Sequence, residues 1–144
     1  MGDARSTMDR LTRAVTEERD PGAVADCYAD HAVIVTPDAG EIRGRDDIVA
    51  YWRPFIEAFP DVRFEPMHQY EVGDTAIDEG WMVGTHEQPL PLSDGGTLPA
   101  TGRQMRVREC DLATVRDGRI TEHHVYFDTM SFLEQLGAAP SPAG

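Results

Sequence analysis

The sequence predicts an α+β protein, with helices first and a run of antiparallel strands after them. Three observations carry this. Apolar residues recur at helical spacing before Phe59, and period-two patterns take over beyond it. Asp117-Gly118 joins two long strand-like runs and is a strong hairpin signal, since glycine takes positive φ at no steric cost. No repeat, low-complexity tract or linker divides the 144 residues. One domain over 1–144 is therefore expected, with 1–5 frayed and 138–144 disordered. Three helices against one strongly curved sheet would make a cone with a cavity between them.

The elements follow in order. Met8, Leu11 and Val15 form one stripe, so a helix runs from Ser6 or Thr7 to Arg19. Asp20-Pro21 gives an N-cap followed by proline in the first turn, opening a short helix with Val24, Cys27 and Tyr28 inside and Ala29-Asp30-His31 at its end. Ala32 to Thr36 is a strand stopped by Pro37, and Gly40 to Gly44 is a turn or short hairpin. A third helix starts near Arg45-Asp46, with Ile48, Val49, Trp52, Phe55, Ile56 and Phe59 as its apolar face. Pro54 inside it removes a backbone donor and should kink or restart it. Val62 to Val72 and Thr75 to His86 read as strands around a Gly73-Asp74 turn. Glu87 to Gly102 is a Pro/Gly-rich loop with a hairpin tip at Asp94-Gly95-Gly96. The hairpin around Asp117-Gly118 and a closing helix complete the pattern.

Composition narrows the partners. The formal net charge is −13, and the 13 basic residues are scattered rather than striped. Nucleic acid and anionic membrane both demand basic patches, so neither is expected as a partner. Cys27 and Cys110 lie outside any zinc or disulfide spacing. No apolar run approaches 18 residues, and Met1 to Arg13 lacks the apolar stretch of a secretory signal. The expectation is a reduced, cytoplasmic protein.

The final hairpin carries the candidate chemistry. A two-residue turn would set Leu112 opposite His123 and Asp111 opposite His124. A three-residue turn with Gly118 as a bulge would set Asp111 opposite His123 and Glu109 opposite Val125. The second register is favoured, because it gathers Val107, Glu109, Asp111, Ala113, His123, Val125 and Phe127 on one face. That face suits an apolar pocket holding a few acid-base groups.

Cys27 to Pro37, Gly84-Thr-His86 with Pro99 to Arg103, Arg116 to Ile120, Glu122-His123 and the Leu133-x-Gln-Leu-Gly137 ending together resemble the SnoaL-like polyketide cyclases of the NTF2-like superfamily. The resemblance spans Met8 to Gly137. It implies a cone-shaped, curved antiparallel sheet with three N-terminal helices packed on its concave face. It also implies a homodimer, a deep apolar pocket for a small hydrophobic or aromatic molecule, and no metal or organic cofactor. Characterised members close a ring of an aromatic polyketide by intramolecular aldol chemistry, and relatives serve hydroxylation. The cyclases carry His-Trp-Asp on the last strand, that Asp being the acid-base group. Here the triplet is His123-His124-Val125, so the acid is missing from its usual place.

Aldol closure needs a base beside the reacting carbon and an acid for the alkoxide. The candidates are His123, Glu109 and Asp111, against a reading in which the two acids pair with arginines on an exposed face. Tyr28, Trp52, Trp81 and Phe127 are candidate pocket walls, and His86 a donor at the pocket mouth or a turn-stabilising group. Asp128 reads as an N-cap for the closing helix. The competing function is a non-catalytic ligand-binding or interaction protein on the same fold, which Val125 favours. A hydroxylase or isomerase relative is a further alternative.

Overall fold

A computed structural model describes residues 2–138. Helix α1 spans Asp3–Arg13 and continues into a π-helical turn at Ala14–Glu18, and α2 spans Pro21–Asp26. Strands β1 (Tyr28–Thr36) and β2 (Gly40–Arg43) precede α3 (Arg45–Ala58). Strands β3 (Arg63–Val72) and β4 (Thr75–Thr85) follow, then a small hairpin of β5 (Leu90–Pro91) and β6 (Thr97–Leu98). Long strands β7 (Gln104–Arg116) and β8 (Arg119–Phe127) lead into α4 (Thr129–Gln135). Six strands form one curved sheet in the order β2-β1-β8-β7-β4-β3.

The helices bury the stripes that their spacing marks. Met8, Leu11, Val15, Val24, Ile48, Ile56 and Phe59 all lie in one cluster with Ile34, Met105 and Ile120 from the sheet. Asp20 accepts a hydrogen bond from the Gly22 amide and Asp128 from the Ser131 amide, so both expected caps are formed. The chain leaves α2 at Asp26, earlier than the pattern suggests, and Tyr28 is the first residue of β1. Proline at 54 leaves α3 unbroken. Ile56, Ala58 and Phe59 beyond it are buried, and their packing offsets the one lost backbone bond.

Two expectations about the ends and the sheet are corrected. Helix α1 already starts at Asp3, because the Glu71 carboxylate accepts the Gly2 and Arg5 amides that would otherwise lack partners. Met1 and residues 139–144 of the expected tail lie outside the described residues. The sheet is mixed rather than antiparallel throughout, since β1 runs parallel to β8, with Ile34 beside His123.

The register of the final hairpin differs from both expected ones. Asp117 and Gly118 both have positive φ (53° and 74°), which makes a two-residue turn. Arg116 faces Arg119 and Val115 faces Ile120, but Thr114 then faces Glu122, so Thr121 is an extra, bulged residue. Beyond the bulge Ala113 faces His123, Asp111 faces Val125 and Glu109 faces Phe127. The pairing is two residues away from the favoured one, an even shift, so the same side chains share a face. Helix α1 holds this turn from outside: Asp3 accepts the Gly118 amide at 2.9 Å, and Arg10 donates to the Gly118 carbonyl at 2.9 Å.

Candidate functional site

The bulge at Thr121 puts His123 on the inner face of the sheet, under the helices, with no solvent exposure. Both ring nitrogens are engaged. Nε2 lies 2.6 Å from Asp111 Oδ2, and Nδ1 lies 2.8 Å from the Tyr28 hydroxyl. The Trp52 indole, on α3, donates to that same hydroxyl at 3.1 Å. Indole N–H can only donate, so Tyr28 accepts from Trp52, and with His123 in its Nε2–H tautomer the Tyr28 hydroxyl donates to Nδ1. His123 Nε2–H then donates to the Asp111 carboxylate. Burial pushes the Tyr28 phenol well above its ordinary pKa, which keeps it a donor. Trp52, Tyr28, His123 and Asp111 thus form one directed chain ending on a carboxylate.

Two more carboxyl groups surround that end. Glu109 is two residues from Asp111 on the same face of β7, partly exposed, and sits opposite Phe127 and Gly80. Burial raises the Glu109 carboxyl well above its usual range, and the charge and hydrogen bonding of Asp111 raise it further. Its surroundings therefore favour the protonated form. Asp78, directly opposite Asp111 on β4, is 2% exposed and faces Arg5 of α1 at 2.7 Å. Burial and the Asp111 charge push Asp78 up to about 6, with Arg5 pulling the other way. A protonated acid beside an ionised one is the arrangement general acid-base chemistry uses.

The other expected residues divide. Tyr28 and Trp52 orient the chain described above, and Phe127 is a half-buried neighbour of Glu109. Trp81 takes no part in the buried chain, although it lines an open depression beside Glu109 and Phe127. Its side chain lies on the opposite face of the sheet, between the guanidinium groups of Arg106 and Arg108 at 4.4 and 4.8 Å from its ring. His86 is buried one residue past the end of β4, remote from His123, and its Nδ1 lies 2.9 Å from the Thr101 hydroxyl, tying the loop down. Its Nε2 has no partner, and burial lowers its pKa.

An open depression of about 530 Å³ lies where β8 parts from β7, lined by Glu109, Val107, Phe127 and Asp128 together with Trp81 and Arg108. Glu109 is thus the member of the acid group that reaches open space. Among the described residues no three His, Cys, Asp or Glu side chains are placed to hold a metal ion, and no helix is long and apolar enough to cross a membrane. Sequence reasoning missed Asp78 and Arg5. The signal was present in Ala76-x-Asp78-x-Gly80-x-Met82, where one carboxylate interrupts an otherwise apolar face.

Comparisons with known proteins agree with this architecture. A family model described as SnoaL-like domain matches residues 8–123. No curated protein matches the sequence. Among solved structures, a candidate SnoaL-like polyketide cyclase from Jannaschia sp. CCS1 superposes with a TM-score of 0.80 at 17% identity, over 96% of this chain and 94% of that one. IdmH, a candidate polyketide cyclase from Streptomyces antibioticus, gives 0.73 at 28% identity, over 92% and 96%. An NTF2-like protein of unknown function from Burkholderia pseudomallei gives 0.77 at 19% identity, over 96% and 100%.

Proposed function

The chain belongs to the SnoaL-like family and has its NTF2-like fold, and from that premise we propose that it catalyses acid-base chemistry on a small aromatic or hydrophobic carbonyl compound, of the aldol-cyclisation type. The observation that carries the reading is the position of Asp111. It lies directly across the β7–β8 ladder from Val125, so a carboxylate absent from β8 is replaced from the neighbouring strand. Side chains so paired have Cβ atoms roughly 5 Å apart, close enough for one carboxylate to substitute for the other.

In this reading Asp111 takes the proton from the carbon next to a substrate carbonyl. The resulting enolate carbon attacks a second carbonyl of the same molecule, forming the C–C bond and an alkoxide. Protonated Glu109 gives its proton to that alkoxide. Asp111 has gained one proton and Glu109 has lost one, and passage of that proton from Asp111 to Glu109 returns the pair to its starting state. His123 acts as a positioning residue that holds Asp111, while Tyr28 and Trp52 hold His123. No metal or organic cofactor enters these steps. The outer sheet face, which exposes Met67, Tyr70, Val72 and Tyr126, is the surface on which a homodimer would form.

The test is turnover, followed by liquid chromatography and mass spectrometry, of a panel of aromatic polyketide acids and esters without added cofactor. Asp111→Asn and Glu109→Gln should each lose on the order of 10²–10⁴ in kcat. Adding Val125→Asp to Asp111→Asn should restore part of it. Unchanged turnover in Asp111→Asn overturns the mechanism. The non-catalytic alternative has its own support, because His123 is wholly enclosed with both nitrogens satisfied. Quenching of Trp52 fluorescence in a Trp81→Phe background without any product would favour it.

A further inference from the structure

The mechanism above leaves one buried group unused. Asp78 stands directly opposite Asp111, and it is held by Arg5 of α1 together with Gln69 of β3. Arg5 Nη2 reaches Asp78 Oδ1 at 2.7 Å and Oδ2 at 2.9 Å, while its Nε and Nη2 also meet Asp9 Oδ1 at 3.0 and 2.7 Å. Arg5 Nη1 donates to the Tyr70 carbonyl at 3.3 Å, and Gln69 donates to Asp78 Oδ1 at 3.3 Å. The Arg5 amide is itself fixed, at 2.8 Å from Glu71. Every charged neighbour is therefore accounted for: Arg5 and Asp9 from α1, Glu71 from β3, Glu109 and Asp111 from β7, and His123 behind Asp111 on β8. Within that set Arg5 is the one fixed positive charge, and Asp78 and Asp9 share it.

We propose that Arg5 and Asp78 are positioning residues that set where the proton sits in the Glu109–Asp111 pair, so that the N-terminal helix is part of the acid-base apparatus. Arg5 favours the ionised form of Asp78. An ionised Asp78 places a second negative charge beside Asp111 and so strengthens the hold of the pair on the Glu109 proton. Removing Arg5 lets Asp78 take up a proton, and Glu109 then gives its own up more easily. Asp78 and Glu109 therefore titrate as coupled groups rather than as separate acids. This inference rests on the proposed roles of Glu109 and Asp111, but its test needs no substrate.

The experiment is a ¹³C carboxyl NMR titration of the full chain from about pH 4 to 8, on wild type, Arg5→Gln, Asp78→Asn and Glu71→Gln. Asp78 should titrate near the value of about 6 in wild type. Its midpoint should rise by roughly half a unit or more in Arg5→Gln, and the Glu109 midpoint should fall in Asp78→Asn. Glu71→Gln loosens the start of α1 without touching the Arg5 charge, and should leave Asp78 where it is. An Asp78 midpoint unmoved by Arg5→Gln, or moved as far by Glu71→Gln, overturns the proposal. A Glu109 titration identical in wild type and Asp78→Asn also overturns it. If Arg5→Gln fails to fold, the isosteric Asp78→Asn carries the test alone. Loss of the turnover hypothesis would leave these midpoints unaltered, so the two failures are separable.

Discussion

Replacing Tyr28 by Phe removes a single oxygen from the middle of the buried chain, and its cost can be worked from the structure. That hydroxyl accepts from Trp52 at 3.1 Å and donates to His123 Nδ1 at 2.8 Å. Each hydrogen bond is worth a net ~1 kcal/mol, and leaving a buried acceptor unsatisfied costs about 1–3 kcal/mol. Trp52 is half-buried and can turn to water, whereas His123 has no exposed atom to offer. The unpaired Nδ1 therefore dominates, and about 2–3 kcal/mol is expected in all. For a chain of 144 residues, one kcal/mol moves Tm by about 3 °C, so Tyr28→Phe should melt about 6–9 °C lower. The assay is thermal unfolding by circular dichroism, paired with ¹⁵N NMR of the His123 ring. In the wild type the ring should be the Nε2–H tautomer, with Nδ1 accepting from Tyr28. A fall in Tm below about 2 °C, or a protonated Nδ1 in the wild type, would refute the directed chain.

Acidity should stabilise this protein between pH 6 and 4, an unusual sign. Asp78 has a folded pKa of about 6, above the ~3.9 of an unfolded aspartate. The folded state therefore binds the extra proton in that window, and stability falls as pH rises through it. Glu109 acts in the same sense. Asp61, held low by the Thr85 bonds against slight burial, and Glu65, held low by Arg106, act in the opposite sense only at still lower pH. Unfolding free energies from urea titration should be higher at pH 5 than at pH 7.5, by about 1–2 kcal/mol, and Asp78→Asn should remove most of the difference. Gly80→Ala would drive a methyl group into the Glu65 carbonyl and the Phe64 ring at the β3 bulge, costing about 1–3 kcal/mol by chemical denaturation. Asp128→Ala strips the α4 cap and should cost ~1 kcal/mol in the same assay.

What was legible in the sequence was local. Asp20-Pro21 and Asp128 announce their helices because a cap and the helix it serves lie within three residues. The start of α1 was not legible, since its cap is Glu71, 66 residues beyond Arg5. The parallel pairing of β1 with β8 was hidden for the same reason. Alternation states which side chains share a face and says nothing of strand direction. That Trp81 lies on the face away from His123 was not legible, because β4 has apolar residues on both faces, Ala76 and Met82 on one, Ile77 and Val83 on the other. Nothing in such a strand distinguishes inner from outer until its neighbours are in place.

The hairpin shows how close this ambiguity comes to the chemistry. A two-residue turn without a bulge sets Asp111 opposite His124, and His123 then points to the other face from Asp111. One extra residue, Thr121, whose hydroxyl donates to the Thr114 carbonyl at 3.3 Å, restores the parity and brings His123 back to the inner face. The consequence is that the register error and the correct face were compatible: face depends on whether the shift is odd or even, and register on its size. The makeup of the candidate site depends on both. Parity puts His123 and Asp111 in the same buried layer, and the size of the shift puts Asp111, rather than Glu109 or Ala113, across from Val125. A bulge in the ladder therefore decides which carboxylate faces Val125.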